Sequence, residues 1–175
     1  VAGGVLRVGD EVMVLPSGLT STITGIDSPT GPLQEATPGQ AVTVLLADDL
    51  SITRGDMICR PNNRPRASQE LEAMLCWMDD TAPLQPGKIY TIKHTTKVAR
   101  TKITEVLYRL NISTLSRETG VNQLGMNEIG RVTLHTTAPL MFDDYHQNRT
   151  TGCFIIVDES TGQTAGAGML LSPRT

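Results

Sequence analysis

Apolar and polar residues alternate in short runs along most of the chain, a period-2 pattern that predicts half-buried β-strands. Gly and Pro residues separate these runs at the spacing typical of an antiparallel sandwich or barrel. Val, Ile and Thr, whose β-branched side chains favour strands, make up 46 of the 175 residues. The clearest runs are residues 11–15, 19–27, 57–60, 88–94, 98–109, 129–137, 153–157 and 164–170. The pattern therefore predicts an all-β fold.

Three segments near the N-terminus give more specific expectations. Residues 5–8 and 11–15 flank a Gly-Asp turn, which predicts a β-hairpin. Residues 28–39 contain three Pro and two Gly, so we expect an exposed loop without strand pairing. Residues 41–47 are nearly all apolar, which predicts a strand buried on both faces.

Residues 67–78 fit two patterns at once. They are rich in helix formers, and Leu71, Met74, Leu75 and Met78 would form a helical stripe. In a strand, Leu71, Ala73, Leu75 and Trp77 would share one face instead. The pattern alone leaves both interpretations open. The preceding Pro61-Asn62-Asn63-Arg64-Pro65 predicts a linker, because Pro and Asn disfavour regular elements.

The last two apolar runs, 153–157 and 164–170, predict a hairpin whose turn contains Gly162. Gly166 and Gly168 lie on one face of its second strand. Positions without a side chain let a bulky neighbour approach closely, so a packing role is favoured over phosphate binding.

Charge and composition exclude several classes of protein. The chain has 15 Lys and Arg against 18 Asp and Glu, a net charge of −3 that argues against a nucleic-acid partner. No apolar run approaches the length needed to span a membrane. Cys59, Cys76 and Cys153 are widely spaced, which fits neither a disulfide scaffold nor a zinc ribbon and favours a reducing cytoplasm. The chain opens without an initiator Met or a signal peptide, so we expect it to begin inside a larger gene product.

The familiar catalytic motifs are missing or broken. The Gly87-Lys88 pair is followed by Ile89 where a phosphate-binding loop requires Ser or Thr, so a turn is predicted. Three Asp pairs have side chains that point to opposite sides of an extended backbone and cannot share one metal ion unaided. Those pairs are Asp48-Asp49, Asp79-Asp80 and Asp143-Asp144.

Histidines and basic residues give no stronger signal. The spacing of His94, His135 and His146 does not match that of a zinc site. A basic stretch could bind RNA or a phosphorylated ligand, but so few aromatic rings lie near it that a solvated strand face is favoured. This stretch comprises Lys93, His94, Lys97, Arg100 and Lys102, with Arg109 further along. The glycosylation pattern at Asn111-Ile112-Ser113 has no consequence without secretion. We predict no catalytic, cofactor-binding or metal-binding residue.

Several strings resemble the second and third domains of translation-factor GTPases such as elongation factor Tu. They are VAGGVLRVGDEVMVLPSG at 1–18, ITRGDMICRP at 52–61 and NRTTGCFIIVDESTGQTAGAGML at 148–170. Within that superfamily, the chain is most similar to the GTPase large subunit of bacterial sulfate adenylyltransferase. This closer similarity comes from the turn LPSG at 15–18, Trp77-Met78, YRLNI at 108–112 and Gln147-Asn148.

The resemblance implies two consecutive antiparallel β-barrels. The first would span residues 1–61 and lack much of its first strand, residues 62–66 would form the linker, and the second barrel would span residues 67–175. In this family the second barrel begins with a strand at the ambiguous segment. Residues 68–77 are therefore expected to form a strand, despite their local preference for helix.

The resemblance also implies a function for the parent protein. The family's GTP-binding domain, with its GTP and magnesium, has no counterpart here, so the chain itself is expected to be non-catalytic. In the family, GTP hydrolysis drives the formation of adenylylsulfate from ATP and sulfate on a separate small subunit. The expected partners are therefore the GTP-binding domain and that small subunit, in the cytoplasm and without a membrane. The alternatives are transfer-RNA-binding barrels of a translation elongation factor and a stand-alone ligand-binding barrel.

Some family members carry an adenylylsulfate kinase domain after the second barrel. Residues 172–175 fit either the start of that connection or a natural end. The sequence leaves both possibilities open.

Overall fold

The computed structural model of this chain describes residues 1–172 and divides into two compact units, Val1–Pro65 and Arg66–Thr175. All the regular elements in the described residues are β-strands, which confirms the predicted fold class. Residues 173–175, most of the segment where a connection to a kinase domain was considered, lie outside the described part.

The first unit is built on an open sheet. Its strands are β1 (Leu6–Arg7), β2 (Glu11–Leu15), β3 (Leu19–Ser28), β4 (Gly31–Leu33), β5 (Glu35–Ala36), β6 (Thr43–Leu46) and β7 (Met57–Cys59). Strands β4, β3, β2 and β7 pair in that order, β6 also pairs with β3, and β1 pairs separately with β5. No pairing among the described strands joins the sheet into a ring, so the first barrel is incomplete.

The prediction of a hairpin between β1 and β2 is wrong, because the two strands do not pair with each other. The chain does turn there, because the Asp10 amide donates to the Arg7 carbonyl at 3.1 Å. However, the Asp10 carboxylate accepts the Arg7 amide at 3.0 Å, and the Gly9 amide donates to the Ile23 carbonyl at 2.8 Å. These contacts turn the chain without pairing the two strands. Strand β1 pairs with β5 instead, and β2 pairs with β3 and β7.

Two further expectations for the first unit are corrected. Residues 28–39 are not an unpaired loop, because β4 pairs antiparallel with the end of β3, and Ala36 in β5 is fully buried. Pro32 is accommodated because β4 ends the order of the sheet, where a missing amide donor breaks no ladder. Strand β6 is not buried on both faces, since its burial alternates and Leu45 is 47% exposed.

The second unit closes into a ring. Its strands are β8 (Arg66–Trp77), β9 (Ile89–His94), β10 (Lys97–Leu110), β11 (Arg117–Glu118), β12 (Ile129–Phe142), β13 (Cys153–Val157) and β14 (Thr164–Leu171). The order β10-β12-β8-β14-β13-β9 returns to β10 through the β9–β10 pairing, and β11 is added beside β10. All six strands of the ring contribute side chains to one large buried core.

Strand β8 confirms the strand interpretation of the ambiguous segment. Its backbone pairs with β12 on one side and β14 on the other. The residues predicted to share a buried face, Leu71, Ala73, Leu75 and Trp77, are each no more than 5% exposed. Two ladders and a complete inner face outweigh the local preference for helix.

The terminal hairpin of β13 and β14 is also as predicted. Gly162 has a φ of 71° in its turn, a backbone conformation that Gly adopts without strain. The ring of Phe154 lies against Gly168, where an added Cβ would come within 2.2 Å of it. This close packing is the role predicted for the paired glycines.

Candidate interaction surfaces

The residues of the basic stretch do not form one continuous exposed patch, because the structure buries one of them and exposes others. Alternation along β9 and β10 turns His94 into the core and leaves Lys93, Arg100 and Lys102 exposed. Arg100 is occupied by Glu159, whose two carboxylate oxygens accept Nε and Nη2 at 2.9 and 2.8 Å. The positive charge of Arg100 is thus neutralised by a neighbouring acid.

His94 is a structural residue of the core, 1% exposed. Its Nε2 donates to the Thr151 carbonyl at 2.6 Å, and the Thr151 hydroxyl donates to the Asp143 carboxylate at 2.6 Å. Burial lowers the pKa of His94, because the charged imidazolium is poorly solvated there. His135 instead pairs with Glu70 on the surface, and His146 is exposed in another loop.

One residue of each Asp pair accepts hydrogen bonds, from a local turn for Asp79 and from residues distant in sequence for Asp48 and Asp144. Asp79 accepts the hydroxyl and the amide of Thr81, and Asp48 accepts the hydroxyl of Ser21. Asp144 accepts the Ser172 amide at 2.8 Å, and this hydrogen bond lowers its pKa. Within residues 1–172, no group of three or more His, Cys, Asp or Glu side chains is placed to hold a metal ion.

The Gly87-Lys88 pair forms a turn that does not suit a phosphate. Gly87 has a φ of 99°, and its amide donates to the Ile103 carbonyl at 2.9 Å. The Lys88 ammonium donates to the Asp158 carboxylate at 2.6 Å, and this hydrogen bond holds the pKa of Asp158 well below its usual range. With the amide and the ammonium both engaged, these residues do not fit the phosphates of GTP.

A polar network fixes the loops at one end of the second unit. Arg109 donates from Nε and Nη2 to Glu118 at 2.9 and 2.7 Å, and from Nη1 to Glu128 at 2.6 Å. Asn111 donates to Glu118 at 3.0 Å, and the Gly125 amide donates to Glu128 at 2.7 Å. Hydrogen bonds from Asn111 and then Arg109 lower the pKa of Glu118. We call Arg109, Asn111, Glu118 and Glu128 the loop network.

Four large apolar side chains are exposed in the segments at this end of the second unit. Met78 is 49% exposed, Ile112 67%, Leu115 75% and Met126 53%. We call these four residues the apolar loop cluster. Sequence reasoning missed these four residues, because single exposed apolar residues are common and give no signal by themselves.

Comparison with known proteins identifies relatives of the whole chain. A family model described as GTP-eEF1A C-terminal domain-like matches residues 70–171. The bifunctional enzyme CysN/CysC of Mycobacterium tuberculosis H37Rv is 52% identical over 98% of this chain and 28% of its own length. Sulfate adenylyltransferase subunit 1 of Aeromonas hydrophila is 43% identical over 98% of this chain and 36% of its own length. The chain therefore spans about a third of the length of these relatives.

Solved structures support the fold. A structure of sup35 complexed with GDP matches 99% of this chain and 43% of its own with a TM-score of 0.88 at 18% sequence identity. Such a low identity establishes the shared fold and nothing more specific. In residues 1–172 no helix is long and apolar enough to cross a membrane.

Proposed function

Because the chain belongs to the GTP-eEF1A C-terminal domain-like family, we propose that it is the barrel region of the GTPase subunit of a sulfate adenylyltransferase. The observation that supports this most directly is identity of 40–52% over 98% of the chain to relatives bearing the names CysN/CysC and sulfate adenylyltransferase subunit 1. The parent would couple GTP hydrolysis to the formation of adenylylsulfate from ATP and sulfate.

In this proposal the nucleotide chemistry belongs to parts of the parent outside this chain. GTP and magnesium would bind a GTP-binding domain, and adenylyl transfer would take place on a separate small subunit. The residues of this chain would bind those partners and contribute no catalytic, cofactor-binding or metal-binding group. A closed ring of paired strands suits that role, because it moves as a rigid body when a neighbouring domain changes state.

We place the parent in the cytoplasm. The wide spacing of Cys59, Cys76 and Cys153 along the chain favours a reducing compartment. The net charge of −3 also makes transfer RNA a poor partner, since RNA binding relies on neutralising phosphates with Lys and Arg.

The test uses the full-length parent, produced from its complete reading frame together with the small subunit. We expect the pair to form adenylylsulfate from ATP and sulfate faster when GTP is supplied, and this 175-residue chain alone to have no activity. The proposal is overturned if the parent ignores the small subunit. The elongation-factor alternative would gain support if the parent bound transfer RNA with an affinity falling ~10³-fold or more between 50 and 200 mM salt.

A further inference from the structure

We infer that, in the parent, the residues directly before Val1 form a strand that pairs antiparallel with the free edge of β6. The inference rests on the function proposed above, because that proposal places a GTP-binding domain ahead of this chain in a longer parent. It adds the surface of the first unit that receives the incoming chain and the register of the pairing. The observations behind it are the hydrogen bonds of Val1, the open edge of β6 and the incomplete cover of its inner face.

One edge of β6 has no partner strand within residues 1–172. The other edge pairs with β3, and the Ala47 amide just beyond β6 donates to the Thr22 carbonyl at 2.9 Å. Backbone N–H groups alternate between the two edges of a strand, so the amides of Val44 and Leu46 point away from β3. An open row of backbone donors and acceptors is a template for a further strand.

Val1 is already paired at the start of that edge. Its nitrogen donates to the Gln40 carbonyl at 2.8 Å, and its carbonyl accepts the Gly39 amide at 3.0 Å. Two residues thus lie opposite one, and Gly39 has a φ of 89°, which is the arrangement of an antiparallel bulge with glycine at its first position. Further along, β1 pairs with β5 in the same antiparallel direction, with Leu6 opposite Ala36.

The direction of the chain at Val1 selects the occupant of the edge. Moving back along one strand of an antiparallel pair moves forward along the other, so the residue directly before Val1 lies opposite Ala41. Its predecessors then follow residues 42–46, which include β6. This strand is joined covalently to Val1, so no long loop has to close and no association entropy is lost. A second copy of the chain would lose that entropy to reach the same edge.

The inner face of β6 is incompletely covered. Val42, Val44 and Leu46 pack against the small core of the first unit but are only half-buried. Val12 and Ile23, which lie in strands paired on both sides, are no more than 1% exposed. A strand beside β6 would shield the three half-buried side chains from water, which favours the paired state. The connection from the GTP-binding domain would then be part of the sheet of the first unit and not a flexible tether.

The experiment tests the register in the full-length parent by disulfide cross-linking. One variant has Cys at the residue directly before Val1 together with Ala41→Cys. These positions form a non-hydrogen-bonded pair with Cα atoms ~4.5 Å apart, which a disulfide can span. The matched control keeps the first Cys but carries Thr43→Cys, on the same exposed face and ~7–8 Å away, which is too far. Mild oxidation should cross-link the control at least about tenfold less, as measured by peptide mass spectrometry without reduction.

A second pair of variants makes the test independent of any one substitution. With Cys at the third residue before Val1, Thr43→Cys should become the reactive partner and Ala41→Cys the unreactive one. The inference is overturned if matched and mismatched pairs cross-link equally, or if neither matched pair cross-links. Cross-links that join two molecules would also overturn it, because a second copy would then be the occupant.

The formation of adenylylsulfate is measured separately on the wild-type parent with the small subunit. An active parent whose variants do not cross-link in the expected register overturns the inference and leaves the proposed function standing. A parent that cross-links as expected but ignores the small subunit supports the paired strand, whereas the proposed function fails.

Discussion

At the scale of single residues, burial lowers the pKa of His94 although the hydrogen bond to Thr151 and the charge of Asp143 act to raise it. Its pKa is lowered by burial, so the folded protein retains the neutral imidazole while the unfolded chain titrates near its ordinary value of 6.5. Below that pH the unfolded state binds a proton that the folded state does not, and acid therefore favours unfolding. The contribution of the neutral His94 to the unfolding free energy is therefore complete above pH 6.5 and is lost as the pH falls below it.

We predict that this histidine produces a pH dependence of stability below pH 6.5. Wild type should lose up to about 1.4 kcal/mol of unfolding free energy per pH unit there, the limit for one proton. His94→Gln keeps an amide donor for the Thr151 carbonyl but does not titrate, so its profile should be flatter. Urea unfolding at several pH values measures both slopes, and equal slopes would contradict the prediction.

The close packing of Gly168 against Phe154 can be tested by one substitution. An added Cβ would lie 2.2 Å from the Phe154 ring, so Gly168→Ala should destabilise the second unit by ~1–3 kcal/mol. Gly125→Ala is the matched control, because its Cβ would meet only the Glu128 carboxylate at 3.6 Å. Thermal unfolding compares the two, and adding Phe154→Leu should restore part of the loss. Equal melting temperatures for the two alanine variants would show that the ring moves aside freely.

Among the elements, β8 shows both the strength and the limit of sequence reasoning. Its buried face could be named in advance, because alternation places Leu71, Ala73, Leu75 and Trp77 together. The choice of strand over helix required the family resemblance, since only distant partners, β12 and β14, decide it. Local pattern contains no information about which ladders will form.

The mistaken elements in the first unit have the same cause. A Gly-Asp turn between two apolar runs predicted a hairpin, but β1 found its partner in β5, which lies 28 residues away at the Arg7–Glu35 pair. The apolar run containing β6 predicted burial on both faces, which an open sheet does not provide. Turn chemistry was recognised correctly, whereas pairing and exposure depend on the rest of the unit.

The apolar loop cluster could not have been assembled from sequence at all. Its members are separated by up to 48 positions and lie at the same end of the ring only because three strand ends coincide. Individual exposed apolar residues are common and carry no signal by themselves.

The loop network gives a prediction at the scale of elements. Arg109→Lys removes the planar fork that holds Glu118 and Glu128 at once, and a lysine provides a single point of attachment. We expect faster hydrogen exchange at residues 111–118 and at Gly125, with the core of β10 unchanged. Arg100→Lys, which loosens the separate pair with Glu159, should leave these amides protected. Unchanged exchange in the Arg109 variant would show that the loops are held by other contacts.

At the scale of the whole molecule, the two units differ in how much core each contains. The main cluster of the first unit has four buried residues, Val12, Ile23, Ile26 and Ala36, whereas that of the second has nineteen. A unit of 65 residues buries only about 60% of the surface that its unfolded chain exposes, so its stability is marginal.

We therefore predict different behaviour when the chain is divided between Pro65 and Arg66. The second unit alone should unfold cooperatively, and the first should show a broad, weak transition. Circular dichroism melts and the dispersion of amide proton signals test both pieces, with the undivided chain as the reference. A sharp transition in the isolated first unit would contradict this expectation.

The ring of the second unit has a mechanical consequence. Each of its six strands is bonded along both sides, so none can be peeled away without rupturing two ladders at once. Fraying is thereby confined to the short appended strand β11 and to the loops. The barrel is therefore expected to unfold in one cooperative step, and a force applied at any one strand is shared by all the others.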